Sequence, residues 1–293
     1  MNITNEMNLP QPFVSAVNRE HTYTDKRYSA TSLLKGTREA ILQRRHADEI
    51  EQDVADSIWL IFGNAVHSVL ENAQETESQL KENWVSADMP NGYTVSGIFD
   101  LYDDSIGKVT DYKTASVFKV TMGDWEDYRK QVLIYCWILR QMGFDAHTGE
   151  VVALLKDHSS SKAKHDSSYP QHPVHIERWE FTDNDFDEIG AWLEHKFLEI
   201  EAAEKLPDDE LPVCTEEQRW ASPAKYAVYK NANKKATKLF DTEEDAQKFI
   251  TFHGRNSKDK FRIEYRPGAD RKCESYCSVC EFCDYYKTNY MQG

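Results

Sequence analysis

The sequence predicts an α/β or α+β protein, in which helices flank a mixed β-sheet and a cysteine-rich, metal-binding appendage follows towards the C-terminus. Three observations lead to this prediction. Helical and strand-like patterns alternate between residues 28 and 206, a short turn joins strand-like segments at 93–103 and 108–114, and four cysteines fall between residues 273 and 283. A chain of 293 residues is long enough for one core domain and an appendage.

We expect three parts along the chain: an N-terminal arm over residues 1–27, a core over residues 28–206 and an appendage over residues 207–293. The second boundary is placed where the composition changes. Prolines and acidic residues are followed there by a lysine-rich stretch and then by the cysteines.

Two helices are predicted at the start of the core. Serine and threonine residues suited to capping precede a helical pattern over residues 33–45. An apolar stripe that includes Trp59 and Phe62 predicts a second helix over residues 54–79. His67 lies within this stripe, where a histidine taken alone is more often a packed core residue than a ligand. Its interpretation as a ligand depends on carboxylates further along the chain.

The other predicted elements alternate between the two types. We expect strands at residues 93–103, 108–114, 150–156, 174–181 and 261–265, and helices at residues 124–142, 184–205 and 241–253. A polar loop is predicted over residues 157–169.

Two aspartates lie on the predicted hairpin, Asp100 and Asp111, and Lys113 follows the second on the same strand face. Mg²⁺ and Mn²⁺ prefer oxygen ligands, so these carboxylates suit either ion. Such an ion beside a phosphodiester would polarise the phosphate and activate a water. Lys113 would orient that water or offset the developing charge. The pattern therefore predicts a metal-dependent nuclease site.

Two polar residues of the helix at 124–142 are expected to act with these aspartates. Gln131 and Tyr135 are four residues apart, and residues at this spacing share one helix face. We expect both to point at the metal site or at a nearby phosphate.

The formal charge of −15 is unfavourable for a protein that binds a polyanion. However, residues 221–240 contain five lysines and no acidic residue. The lysines are Lys225, Lys230, Lys234, Lys235 and Lys238. This stretch predicts a nucleic-acid-binding surface, and the alternative is an ordinary solvated face.

Four closely spaced cysteines indicate a metal centre, because thiolates at such spacing bind zinc or iron-sulfur clusters. They are Cys273, Cys277, Cys280 and Cys283. These four would suffice for a site by themselves, or Cys214 would replace Cys280 as the fourth ligand. The spacing leaves both arrangements open.

The ordered motifs His67, Gly97-Ile98-Phe99-Asp100, Asp111-Tyr112-Lys113 and Gln131 to Tyr135 resemble the RecB-like branch of the PD-(D/E)XK nuclease superfamily. The resemblance covers about residues 28–155, together with the terminal cysteines, and implies a restriction-endonuclease-like core. It implies these roles: His67, Asp100, Asp111 and the backbone carbonyl of Tyr112 as metal ligands, Lys113 as the catalytic lysine, and Gln131 and Tyr135 as residues that position water or DNA.

The cysteines extend the resemblance to AddB-type helicase-nucleases and CRISPR-associated iron-sulfur nucleases, which carry one upstream and three C-terminal cysteines around a [4Fe-4S] cluster. Small bacteriophage nuclease-like proteins are similar as well. This likeness implies that Cys214, Cys273, Cys277 and Cys283 hold such a cluster, with Cys280 as an alternative ligand and structural Zn²⁺ as the alternative cofactor. In this chain the upstream cysteine follows the core, whereas it precedes the core in those proteins.

The function that the resemblance implies is a Mg²⁺- or Mn²⁺-dependent deoxyribonuclease. We expect an exonuclease that acts on single strands or DNA ends in recombination, repair or phage replication, with recombination or replication proteins as partners. The alternative is a non-cleaving nucleic-acid- or protein-binding adaptor with a nuclease-like fold, which the negative charge favours. The N-terminal residues lack a basic and apolar leader, so we expect a cytoplasmic protein of a bacterial or phage-infected cell with no membrane partner.

Overall fold

A computed structural model describes residues 2–18, 23–254 and 258–291. The chain divides into two compact units, Met1–Leu211 and Pro212–Gly293. Within the described ranges, no helix has both the length and the apolar character that crossing a membrane requires.

The first unit contains eight helices and eight strands among its described residues. The helices are α1 (Gln11–Val17), α2 (Ala30–Leu33), α3 (Thr37–Arg45), α4 (Ile58–Glu71), α5 (Val117–Met122), α6 (Glu126–Gln141), α7 (Ser160–His165) and α8 (Asp183–Ala203). The strands are β1 (Asn2–Thr4), β2 (Arg27–Ser29), β3 (Glu51–Asp53), β4 (Gln79–Asp88), β5 (Thr94–Asp103), β6 (Lys108–Ala115), β7 (Thr148–Leu155) and β8 (Val174–Glu180).

Six strands form one mixed sheet around β5. Strand β4 pairs antiparallel with β5 from Gln79 to Asp88, with an interruption at Glu82. On the other edge, β2 pairs parallel with the start of β5 and β6 pairs antiparallel with its end. Strand β7 lies parallel to β6, and β8 lies antiparallel at the far edge. The β5–β6 pairing stops at Leu101 and Thr110, so the two strands diverge just beyond these residues.

The sheet is flanked by helices whose apolar faces form the main core. Helix α6 contributes Ile134 and Ile138, and α8 contributes Leu193 and Phe197, all fully buried. They belong to one cluster with sheet residues such as Phe99. The predicted mixed α/β fold is confirmed.

Three predicted helices differ from the structure in their extent. The helix predicted at 33–45 is divided into α2 and α3, because Gly36 has an extended conformation and α3 starts after it. The helix predicted at 54–79 begins with a 3-10 turn and ends at Glu71. The polar residues that follow offer no apolar helix face, and β4 starts at Gln79. The helix predicted at 124–142 is α6, preceded by the separate short helix α5.

The second unit consists of small elements. They are β9 (Ala221–Ser222), β10 (Lys225–Lys230), β11 (Lys238–Phe240), α9 (Glu243–Gly254), β12 (Phe261–Arg266), β13 (Ala269–Asp270), α10 (Arg271–Ser275) and α11 (Asp284–Tyr290). Strand β10 pairs antiparallel with both β11 and β12. The Arg219 guanidinium stacks on the Tyr285 ring at 4.6 Å and lies 3.5 Å from Asp270, which joins the start and the end of this unit.

Candidate active site

The point where β5 and β6 diverge positions Asp100. Its Oδ2 accepts a hydrogen bond from the backbone N–H of Tyr112, beyond the last paired residues of the two strands. The carboxylate therefore takes the place of a strand-to-strand hydrogen bond. This contact holds Asp100 close to the segment that carries Asp111 and Lys113.

Asp111 lies on β6 and is only 3% exposed. Its Oδ1 accepts a hydrogen bond of 3.1 Å from Gln131 Nε2. Lys113 Nζ lies 2.7 Å from Oδ2, an ion pair without hydrogen-bond geometry. The buried carboxylate therefore has one amide donor and one cation as its partners.

Helix α6 brings Gln131 and Tyr135 to the same place. Gln131 Nε2 also donates to Tyr135 Oη at 3.1 Å. The Tyr135 ring packs against Gly97, where an added Cβ would lie 2.4 Å from the ring. The glycine that precedes Asp100 in the sequence motif is thus needed for the close approach of Tyr135.

His67 and Glu82 complete the polar cluster. His67 Nδ1, on α4, lies 3.1 Å from Asp100 Oδ1 and 3.7 Å from Glu82 Oε1. Within the part of the chain that the structure describes, His67, Glu82 and Asp100 are the one group of three His, Cys, Asp or Glu residues with ligand atoms all within 4.8 Å of one another. The predicted ligands His67 and Asp100 therefore lie together.

Sequence reasoning did not identify Glu82. It lies on β4, between residues that pair with Leu101 and Phe99, and so stands opposite Asp100. Strand β4 was not predicted, because few of its residues are buried and no regular alternation marks it. Glu82 is therefore identified only by the tertiary structure, through the position of β4 in the sheet.

All four titratable neighbours of Asp100 in this cluster bind their protons more tightly than usual. The hydrogen bond from His67 to Asp100 raises the pKa of the imidazole. Burial, and then the charge of Asp100, raise the pKa of Asp111 and of Glu82. Burial opposes the charge of Lys113, but Asp111 and Asp100 outweigh it and raise the pKa of the ammonium. The cluster thus has more negative charge than its own cations offset.

A divalent cation fits this cluster on chemical grounds. Carboxylate oxygens and one imidazole nitrogen are suitable donors for Mg²⁺ or Mn²⁺. An added cation would offset the surplus negative charge around the buried Asp111 carboxylate.

A cavity of about 480 Å³ adjoins the cluster and shares Gly97 and Tyr135 with it. Its other lining residues include Arg27, Ser29, Ser32, Arg44 and Trp84. The cavity therefore presents guanidinium groups, hydroxyl groups and an indole ring beside the candidate site.

The five lysines of the predicted nucleic-acid surface lie on β10, β11 and the turn between them. Lys225 forms an ion pair with Asp241, and Lys230 forms one of 2.7 Å with Asp259. Lys238 Nζ lies 5.2 Å from the centre of the Phe240 ring. Lys234 and Lys235 are exposed in the turn. The surface is therefore less positive than the sequence alone indicates.

The cysteines of the predicted metal centre lie in the second unit. Cys273 is in α10, Cys280 starts a 3-10 turn and Cys283 precedes α11. Burial raises the pKa of Cys273 to about 11, with further contributions from Asp270, Cys214 and Cys283. Three of the predicted thiols are thus neighbours, although in the described chain they do not form a group as close as the His67 cluster.

The whole chain can be compared with known protein families and known proteins. A family model for the PD-(D/E)XK nuclease superfamily matches residues 22–285. No curated protein matches the chain.

Several solved structures are distantly similar. The protein SSO0001 is 14% identical with a TM-score of 0.47, over 64% of this chain and 82% of that one. A phage-related exonuclease from Haemophilus somnus is 11% identical with a TM-score of 0.35, over 60% of this chain and 95% of its own. The alkaline exonuclease LHK-Exo from Laribacter hongkongensis is 14% identical with a TM-score of 0.35, over 60% and 89%.

Proposed function

The chain belongs to the PD-(D/E)XK nuclease superfamily, and on this premise we propose that it is a Mg²⁺- or Mn²⁺-dependent deoxyribonuclease. The observation that carries the proposal is that His67 lies 3.1 Å from Asp100 in one group of ligand atoms, with Asp111 and Lys113 paired at 2.7 Å on the adjoining strand. A divalent ion, when bound, supplies Lewis-acid polarisation of the phosphate and lowers the pKa of a water. The residues that would hold it are His67, Asp100, Asp111 and the Tyr112 carbonyl.

The other polar residues have separate tasks in this proposal. Lys113 keeps its proton, since its pKa is raised, and its ammonium group would stabilise charge on the phosphate. Gln131 fixes the Asp111 carboxylate through its amide. Tyr135 holds that amide in place and closes the wall shared with the cavity.

We propose an exonuclease that acts on single strands or DNA ends. The cavity beside the cluster supports this choice, because guanidinium and hydroxyl groups suit the terminal phosphate of a strand. Lys234 and Lys235, exposed in their turn, remain the best candidates for contacts with the backbone of the strand. We further propose that this exonuclease acts in recombination, repair or phage replication in the cytoplasm, together with recombination or replication proteins.

For the second unit we propose a structural [4Fe-4S] cluster on Cys214, Cys273, Cys277 and Cys283. The neighbourhood of Cys273, Cys214 and Cys283 supports it, and the raised pKa of Cys273 is what a cationic cofactor would offset. The test is visible absorption and metal content after anaerobic purification. A colourless protein with stoichiometric zinc would assign Zn²⁺ instead, with Cys280 as a possible fourth ligand.

The test of the nuclease is cleavage of 5′-labelled DNA in Mg²⁺, in Mn²⁺ and in EDTA. Linear single strands, linear duplexes and circular single strands are compared, and an exonuclease leaves the circles intact. Lys113→Ala is expected to lose about 10²- to 10³-fold in rate. Lys164→Ala, an exposed lysine on α7, is the matched control and is expected to cleave as the wild type does.

Absence of products from the wild type with both metals would overturn this proposal. Binding of DNA without cleavage would then favour the adaptor function. Cleavage by Lys113→Ala at the wild-type rate would remove Lys113 from the mechanism.

A further inference from the structure

We propose that Glu82 is an additional ligand of the divalent ion, supplied by β4 from across the sheet. The proposal rests on the proposed nuclease function for the presence of the ion. It adds a carboxylate to the ligands that the sequence motifs supply, and it makes β4 part of the catalytic machinery.

The first argument is geometric. Glu82 and Asp100 are not paired themselves, but the pairs on either side, Lys81 with Leu101 and Asn83 with Phe99, place them across from each other. Residues directly opposite each other on paired strands project to the same face of the sheet. The ligand atoms of Glu82, Asp100 and His67 accordingly lie within 4.8 Å of one another.

The backbone at Glu82 departs from the regular strand conformation. Its φ is +49°, in the left-handed region that non-glycine residues seldom adopt. Residues on either side keep the β4–β5 register, so the distortion is confined to one position. Backbone strain of this kind persists only where the surroundings enforce it.

A second observation points to a cation at the same place. Asp111 is 3% exposed, and its Oδ2 has no hydrogen-bond partner in the described chain although Lys113 is near. The charges of Asp100 and His67 both act on Asp111, so this carboxylate adjoins the His67–Glu82–Asp100 group. Asp111 therefore adds a third carboxylate next to the His67–Glu82–Asp100 group, and Lys113 is the one ammonium group paired with it.

The donor set has a chemical consequence. An imidazole nitrogen beside carboxylates suits Mn²⁺ better than Mg²⁺, which prefers oxygen donors and retains its water. Glu82 increases the charge of the site and should strengthen binding of either ion.

The experiment measures Mn²⁺ binding directly, by the loss of the free-ion electron paramagnetic resonance signal on titration into the protein. Glu82→Gln preserves size and removes the charge, and Glu82→Asn tolerates positive φ. Glu71→Gln, at the end of α4, removes a nearby exposed charge and serves as the control. Circular dichroism and the unfolding midpoint establish that each variant is folded.

We expect both Glu82 variants to bind Mn²⁺ at least about 10-fold more weakly than the wild type, as loss of a partner at a metal site commonly causes. The control should bind within about 2-fold of the wild type, since an exposed charge contributes little. Equal affinity of a folded Glu82 variant and the wild type would overturn the inference and leave the nuclease proposal intact. Weakened Mn²⁺ binding by the Glu82 variants, together with a wild type that cleaves no DNA, would instead support Glu82 as a ligand and reject the nuclease.

Discussion

Asp111 and Glu150 are buried carboxylates on adjacent strands of one sheet, but their surroundings differ. Glu150 on β7 pairs with Thr110 in the register, one position before Asp111, and so faces the opposite side of the sheet. Lys108 Nζ lies 2.8 Å from Glu150 Oε1, the Thr110 hydroxyl donates to the same oxygen, and Arg178 Nε donates to Oε2 at 2.9 Å. Among the residues that the structure describes, Asp111 forms an ion pair with one cation, Lys113.

The pKa shifts of the two carboxyl groups are opposite in sign. Burial raises the pKa of Asp111, and the neighbouring Asp100 adds to the shift. Burial acts the same way on Glu150, but the hydrogen bonds from Lys108 and Arg178 outweigh it and lower the pKa. A carboxylate whose charge is fully offset stabilises the fold, whereas one whose charge is only partly offset is available to an added cation.

The largest expected effect is that of Asp111→Asn on cleavage. Loss of a metal ligand and of the partner of Lys113 should lower the rate by about 10³-fold or more. The free energy of unfolding without metal should change little, because loss of the pairing with Lys113 is offset by relief of the burial and of the Asp100 charge that raise the pKa of Asp111. Rates on labelled DNA and denaturant unfolding in EDTA measure the two quantities.

Gln131→Leu should have the next largest effect. The amide of Gln131 orients Asp111 without being a ligand, and loss of such a partner lowers metal affinity or activity by about 10- to 100-fold. Gln141→Leu, at the exposed end of the same helix, is the control and should have no effect. A Gln131 variant with full activity would show that the orientation of Asp111 does not depend on this amide.

Glu150→Gln should show the opposite pattern. Cleavage should remain within about 2-fold of the wild type, since Glu150 faces away from Asp111. The free energy of unfolding should fall by about 1–3 kcal/mol, because hydrogen bonds to a charged group are lost. If Glu150→Gln lost activity without a change in stability, the contrast between Asp111 and Glu150 would be wrong.

The smallest effect is the pH dependence of that stability. Because the pKa of Glu150 is lowered in the folded state, its contribution is present above its unfolded pKa of about 4.3 and is lost as the pH falls through the lower folded value. The difference in unfolding midpoint between the wild type and Glu150→Gln should therefore shrink below about pH 4. A difference that grows as the pH falls would contradict the assigned shift.

The two carboxylates also indicate what sequence reasoning can provide. Asp100, Asp111 and Lys113 were selected because strand periodicity and residue chemistry are local properties, and the structure places them on β5 and β6 as expected. Gln131 and Tyr135 share a helix face for the same reason, and they meet Asp111.

Features that depend on contacts between distant parts of the chain could not be predicted from the sequence. Glu82 depends on the β4–β5 register and on a positive φ at one position, and β4 itself lacks a regular pattern. The ion pairs of Lys225 and Lys230 likewise involve acidic residues distant along the chain, so the charge of their surface was overestimated. In both cases the partner, and not the local pattern, decides the role of the residue.

The central claim is that the Asp111 side of the sheet binds a divalent cation and the Glu150 side does not. The most direct test is the shift of the unfolding midpoint between EDTA and excess Mn²⁺ for the wild type, Asp111→Asn and Glu150→Gln. An ion that binds the folded state at 100 times its Kd stabilises it by about 2.7 kcal/mol. The wild type and Glu150→Gln should be stabilised to a similar extent and Asp111→Asn should not. An equal shift in Asp111→Asn, or a shift lost only in Glu150→Gln, would contradict the claim.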